Sequence, residues 1–205
     1  MVCPYSSNSF CSRLSPELKG MLCECCSKTH YPSGNVLSKH RWRDRFTLLL
    51  DGFIISVDPN ANADGKFIPL ELIGNGRFLS TPESWTGVRL ENISSLVILD
   101  SVVAIFDSAR IGALYNDNID FVRAMCGGYI AGYNEMAMAF QEIGGGDALT
   151  KVKYLMRFCR EHGIPQLTHA QIALATGLTR PTVTKTIHNL IKIQPELFLP
   201  RGDAP

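Results

Sequence analysis

The chain has 205 residues, of which 45% are apolar and 19% charged, and a net charge of +1. That composition suits one large or two small globular domains with a real core, and nothing in the overall charge points to nucleic acid. No apolar run reaches the roughly 18 residues of a membrane span, and the first twenty residues lack a basic stretch followed by an apolar one. A cytoplasmic chain with no membrane partner is therefore expected, with its seven cysteines mostly as thiols.

The first dozen residues read as irregular. Ser15-Pro16-Glu17 then opens a short helix, with a serine cap, proline in the first turn and an early acid, running to about Cys23. From Thr29 to Ile105 short apolar segments (FTLLL, FIISV, KFIPLELI, SSLVILDSVVAIF) alternate with turn residues. Tyr31-Pro32-Ser33-Gly34, Leu50-Asp51-Gly52 and the stretch from Asp58 to Gly65 are the turn signals. Short strands at this spacing, without helices between them, predict an antiparallel sandwich or roll.

From Ile119 to Ile143 no proline occurs and apolar residues return at helical spacing. Ile119, Val122, Met125, Cys126, Tyr129, Tyr133, Met136 and Phe140 fall along one broad side of a helix about 37 Å long. Gly127, Gly128 and Gly132 each weaken it by roughly 1 kcal/mol relative to alanine, which suggests close approach of a partner helix or a ligand. Gly144-Gly145-Gly146 is a break and a hinge. Asp147 caps a further helix from Ala148 to about His162, with Val152, Leu155, Met156 and Cys159 inward. The expected division is 1–115, a β-rich domain; 116–146, the long helix and hinge; and 147–205, a helical domain.

Residues 167–190, LTHAQIALATGLTRPTVTKTIHNL, are the most informative segment. They read as two short helices around a tight turn. Ile172, Ala173 and Leu174 give the first its apolar face. Gly177 supplies the turn, Thr179 caps the second helix, and Pro181 sits in its first turn. Val183, Ile187 and Leu190 form the buried stripe of the second helix. Its other side carries Thr179, Arg180, Thr182, Thr184, Lys185 and His188, hydrogen-bonding groups suited to the major groove of double-stranded DNA. Charge agrees: residues 147–205 hold eight Lys/Arg against four Asp/Glu, and residues 1–146 hold twelve against fifteen.

A β-roll, a long helix, a hinge and a helix-turn-helix, in that order, resemble the CRP/FNR family of bacterial transcription regulators. YPSGNVLSKHRWRDRFTLLLDGFIISV is similar to the opening strands of that family's roll, ELIGNGRFLS to the segment leading into its effector pocket, and GLTRPTVTK to its turn and recognition helix. The resemblance implies an α+β chain: an antiparallel, cyclic-nucleotide-binding-like β-roll, a dimerisation helix and a C-terminal helix-turn-helix. It implies a non-enzymatic DNA-binding regulator, with a second copy of itself, a small-molecule effector and RNA polymerase as further partners. The effector pocket would lie between roll and long helix, near Phe78, Leu79, Trp85, Tyr129 and Tyr133.

Departures from the family pattern narrow this. Gly76-Arg77-Phe78-Leu79-Ser80 lacks the ribose-binding glutamate, and Glu91-Asn92-Ile93-Ser94-Ser95 lacks the phosphate-binding arginine. Cyclic AMP is therefore not the expected ligand, since a buried phosphate needs a cation; Arg77 and Arg89 are the substitutes nearest at hand. In the recognition helix Pro181 and Lys185 replace the family's glutamate and second arginine, so the DNA site should differ. The tail leaves room for one short strand near Glu196 to Leu199, a reduced wing.

The alternative reading is a thiol-redox or metal-responsive regulator. Cys11, Cys23, Cys25 and Cys26 are its candidates, with Cys3 further out. An iron–sulfur cluster needs four thiolates, and Cys23, Cys25 and Cys26 with His30 have an unusual spacing for zinc. Cys126 and Cys159 read as core filler. No G-x-S-x-G, P-loop, H-x-H or H-E-x-x-H occurs, which argues against an enzyme.

Overall fold

The computed structural model describes residues 4–38, 42, 45–58, 68–80 and 93–198. It is an α+β chain whose sheet is wholly antiparallel. The strands are β1 (Cys26–Tyr31), β2 (Val36–Ser38), β3 (Phe46–Asp58), β4 (Ile68–Ile73), β5 (Phe78–Ser80) and β6 (Ser94–Phe106). They run in the order β1-β6-β3-β4, with β2 also on β6 and β5 also on β3.

The two 13-residue strands β3 and β6 form the frame. Each serves two partners along its length. The outer half of β6 pairs with β1 and its beginning with β2, while β3 pairs with β5 early and β4 late. The apolar run Leu48-Leu49-Leu50 is therefore not closed by a turn at Leu50-Asp51-Gly52, as its composition suggested. β3 continues through Gly52, and the register against β6 slips there instead. Gly52 has φ +115°, and a Cβ on it would meet the Ser101 Oγ and lie 2.7 Å from the Ser101 Cα. A β-bulge bends the paired strands at this point, which lets one ribbon close over itself as a roll. The expected turn between Asp58 and Gly65 falls mostly outside the described residues.

The helices are α1 (Pro16–Glu24), α2 (Ser108–Asp117), α3 (Ile119–Ala139), α4 (Ala148–Glu161), α5 (His169–Thr176) and α6 (Arg180–Ile193). Ser15 caps α1 by accepting from the Leu18 N–H. Ser108–Asp117 form a helix that periodicity had not marked. Asp107 caps α2, and Asn118 ends it while capping α3. A π-helical turn, Phe140–Gly144, ends the long helix at the first residue of the triple glycine, and Asp147 caps α4 from the Thr150 N–H. The tail forms a 3-10 turn, Pro195–Phe198, and not the expected strand at Glu196 to Leu199. Pro195 cannot donate to a ladder, and Leu197 is buried on the helical core.

Three apolar clusters hold the chain together. One fills the roll around Tyr31, Trp42, Leu49, Ile54, Leu79 and Val103. A second packs α1, α2 and α3 on the sheet through Phe10, Leu22, Phe46, Leu48, Phe106 and Phe121. The third runs from Phe53, Ile55, Leu72 and Ile98 of the sheet into Leu155, Ile172, Val183 and Leu190 of the last three helices. The helical end is thus seated on the roll through a shared core, although a glycine break precedes it.

The long helix has two apolar sides where one was expected. Phe121, Ala124, Met125 and Gly128 face the chain's own core. Ile119, Ile130, Tyr133 and Phe140 are 62–72% exposed on the other side. Met125 therefore leaves the exposed stripe and Ile130 joins it. Cys126, expected as core filler, is exposed, whereas Cys159 is buried.

Candidate nucleic-acid interface

The helix pair is built as its sequence demands. Thr168 caps α5 by accepting from the Gln171 N–H, and the Gln171 side chain accepts back from the Thr168 N–H, forming a capping box. Gly177 ends α5 with φ +68°, a left-handed conformation that costs glycine nothing. Two residues later the Thr179 hydroxyl accepts from the Thr182 N–H and starts α6, with Pro181 in its first turn. Val183, Thr186, Ile187 and Leu190 face inward. Ala175 is fully buried where α5 meets its neighbours, while Ala173 is only half-buried.

The six residues named from the sequence divide into two groups. Arg180, Lys185 and His188 are exposed. Three threonines are partly spent on the local frame. The Thr179 and Thr182 hydroxyls lie 2.8 Å apart, and the Thr184 hydroxyl lies 2.9 Å from His169 Nδ1 and 3.1 Å from the Arg180 carbonyl. Asn189 and Lys192 are exposed on the same helix and had been passed over. Pro181, Lys185, His188 and Lys192 follow the three-and-four spacing of one helical face, the signal that would have found the last of them.

Of the residues proposed for an effector pocket, Phe78 and Tyr129 are brought together, while Leu79 and Tyr133 lie elsewhere. The Phe78 ring packs between Phe10 and Phe46, 5.0 Å from each, and 4.7 Å from Tyr129. A Cβ on Gly128 would stand 2.9 Å from that ring, so the glycine is what admits it to α3. Leu79 points into the separate cluster inside the roll. Tyr133 is 66% exposed. Trp85 and Arg89 lie outside the described residues.

Arg77 is engaged as well. Its guanidinium is paired with the Glu135 carboxylate of α3, with Nε 2.9 Å from Oε2. His162, at the end of α4, places Nε2 3.4 Å from the same carboxylate. The Tyr154 hydroxyl donates to the Glu135 carbonyl at 3.2 Å. Burial raises the Glu135 carboxyl, but hydrogen bonds and charge from His162 and Arg77 outweigh it and hold it below the ordinary carboxylate range. One residue of the roll, one of the long helix and one of the helical end therefore meet at a single carboxylate.

Among the redox candidates, Cys25 is buried, its thiol donates to the Leu22 carbonyl, and burial pushes its pKa up. That environment opposes thiolate chemistry. Cys11, Cys23 and Cys26 lie nearer the surface and line one cavity. Among the described residues, no three His, Cys, Asp or Glu side chains gather as a metal site, so the Cys23, Cys25, Cys26 and His30 set is not assembled. Among them, too, no helix is long and apolar enough to cross a membrane.

No protein-family model and no curated protein matches this chain. Solved structures do. The chain superposes on FixK2 from Bradyrhizobium japonicum with a TM-score of 0.60 at 14% identity, over 82% of this chain and 85% of that one. For TTHB099, a CRP-family transcriptional regulator from Thermus thermophilus, the TM-score is 0.59 at 13% identity, over 80% and 85%. For the c-di-GMP responsive global regulator CLP from Xanthomonas campestris it is 0.60 at 10% identity, over 89% and 93%. The chain has the fold of CRP/FNR transcription regulators.

Proposed function

We propose that this chain is a non-enzymatic, sequence-specific DNA-binding transcription regulator of the CRP/FNR type. Residues 1–115 act as the sensor, 116–146 as the dimerisation helix and hinge, and 147–205 as the DNA-binding domain. The observation that carries the reading is α6. Its apolar side is locked into the core while Arg180, Lys185, His188, Asn189 and Lys192 project from the rest of its surface. Arg180 leads the helix, where base edges come within reach, and Lys192 in the last turn suits a phosphate.

A binding selection on randomised duplex DNA tests this. The wild type should enrich a two-fold symmetric site with half-sites about one helical turn apart. Arg180→Ala should cost about 1–3 kcal/mol and relax preference at one base pair per half-site. Lys192→Ala should weaken all sequences alike and lower the salt dependence. Enrichment of no symmetric site by the wild type would remove the regulator reading. An unchanged motif in Arg180→Ala would overturn the docking of α6.

This reading keeps the expectation that the effector is not cyclic AMP, supported by Arg77, one of the two substitute phosphate ligands, being already paired with Glu135. A thiol-redox regulator is the second reading, favoured by the shared cavity of Cys11, Cys23 and Cys26. It requires DNA affinity to change on diamide treatment and to stop changing when these three are serines.

A further inference from the structure

A cavity of about 350 Å³ lies between α1, the N-terminal turn and the sheet. It adjoins the roll–helix interface, which Phe10, Phe46 and Phe78 fill, and shares Phe10 with it. Its walls are apolar: Phe10, Leu14, Leu22, Leu48, Leu50 and Phe106 are all buried core residues that also line it. Lys19 and Lys28 line it too, and among the described residues no Asp or Glu does. The acids of α1, Glu17 and Glu24, lie on a different side of that helix from Lys19, by helical spacing. A mostly apolar pocket of this size with a few polar groups is how small-molecule sites are made; the Lys28 ammonium also stands 5.2 Å over the Tyr5 ring.

We propose that this cavity binds a small monoanion with an apolar body, an apolar carboxylate whose head pairs with Lys19 and Lys28. A space of this size lies at the small end of the range for small-molecule pockets. Gly20 of α1 lines the cavity, and a Cβ there would meet nothing within 4 Å. As a ligand site the cavity stands on its own geometry; as the effector site it rests on the regulator reading above. The route to the rest of the chain is short. Phe10 forms part of the wall and stacks edge-on against Phe78, the neighbour of Arg77, whose guanidinium holds Glu135.

The test uses three probes with one body and three charges: 4-phenylbutanoate, 4-phenylbutanamide and 4-phenylbutylamine. Calorimetry on the full chain under reducing conditions should show the carboxylate binding at least about tenfold tighter than the amide, and the amine not at all. Lys19→Gln with Lys28→Gln should erase the preference for the carboxylate over the amide. Gly20→Leu should block all binding without lowering the melting temperature, since it replaces a helical glycine. No binding of the carboxylate at millimolar concentration, equal binding of all three probes, or undiminished binding by Gly20→Leu would each overturn the site. Adding 4-phenylbutanoate to the DNA-binding assay separates the two claims. Binding without a change in DNA affinity leaves the site and removes its effector role, whereas a chain that binds no DNA defeats the regulator reading and leaves the calorimetric result standing.

Discussion

At the scale of single residues, two glycines show how differently the same residue is used. Gly52 combines φ +115° with the backbone of Asp100 and Ser101 within 2.8 Å of where a Cβ would go. Gly52→Ala should therefore cost about 3 kcal/mol, from a strained conformation and a steric overlap with backbone that cannot yield. Urea denaturation checks this, with the midpoint falling and the slope unchanged; a loss under about 1 kcal/mol would mean that the bulge does not need glycine. Gly20 sits in a helix with open space and should accept alanine with a gain of about 1 kcal/mol. The caps were legible because a cap is a local bargain between a side chain and an N–H three residues on. Ser15, Asp147 and Thr179 all sit where their spacing placed them. Gly52 was read as a turn because Leu-Asp-Gly has turn composition. Whether such a triplet turns or bulges depends on strand β6, more than 40 residues away in sequence.

At the scale of elements, the outward side of α3 carries the clearest unmet demand. Ile119, Cys126, Tyr133 and Phe140 recur every seven residues, and Ile130 and Ala137 fall between them at the spacing of a coiled-coil seam. Two copies joined along this seam would bury their apolar side chains at about 25 cal/mol per Å². Sedimentation equilibrium should give a homodimer at micromolar concentration and a folded monomer for Ile130→Glu with Tyr133→Glu. A wild-type monomer, with or without DNA, would refute the seam. The helix itself was legible from its period, but its two apolar sides were not separable. A one-dimensional pattern does not say which stripe the chain keeps for itself, so Met125, buried against the roll, was counted with residues that face outward.

At the scale of the whole molecule, the order roll, long helix, break and helix pair was legible because each part has its own period or punctuation. The junction between them was not. Arg77, Glu135 and His162 are ordinary residues far apart in sequence, and only the folded chain makes them one site. The helical end is also held by the Gln171 amide, which donates to the Ile98 carbonyl of β6 at 2.9 Å. Glu135 is the group that should make this seating sensitive to pH. Its folded pKa lies below the ordinary value of 4.5. Its contribution is therefore complete above about pH 4.5 and is lost as pH falls through the lower folded value. Arg77 of the β4–β5 turn and His162 of α4 face the carboxylate, and the Tyr154 hydroxyl is bonded to the same residue's carbonyl. Glu135→Gln would leave the Arg77 guanidinium buried without its counter-charge, at a cost of about 2 kcal/mol for a pair that is partly open to water. Arg77→Met with Glu135→Met should recover much of that loss, because removing both charges is cheaper than stranding one. Thermal unfolding followed between pH 3 and pH 7 reads all three chains. The wild type should lose its advantage over Glu135→Gln on the acid side, and the two curves should converge there. If they stay parallel down to pH 3, Glu135 does not carry the acid sensitivity, and the joint between roll and helical end rests on its apolar core and the Gln171–Ile98 hydrogen bond.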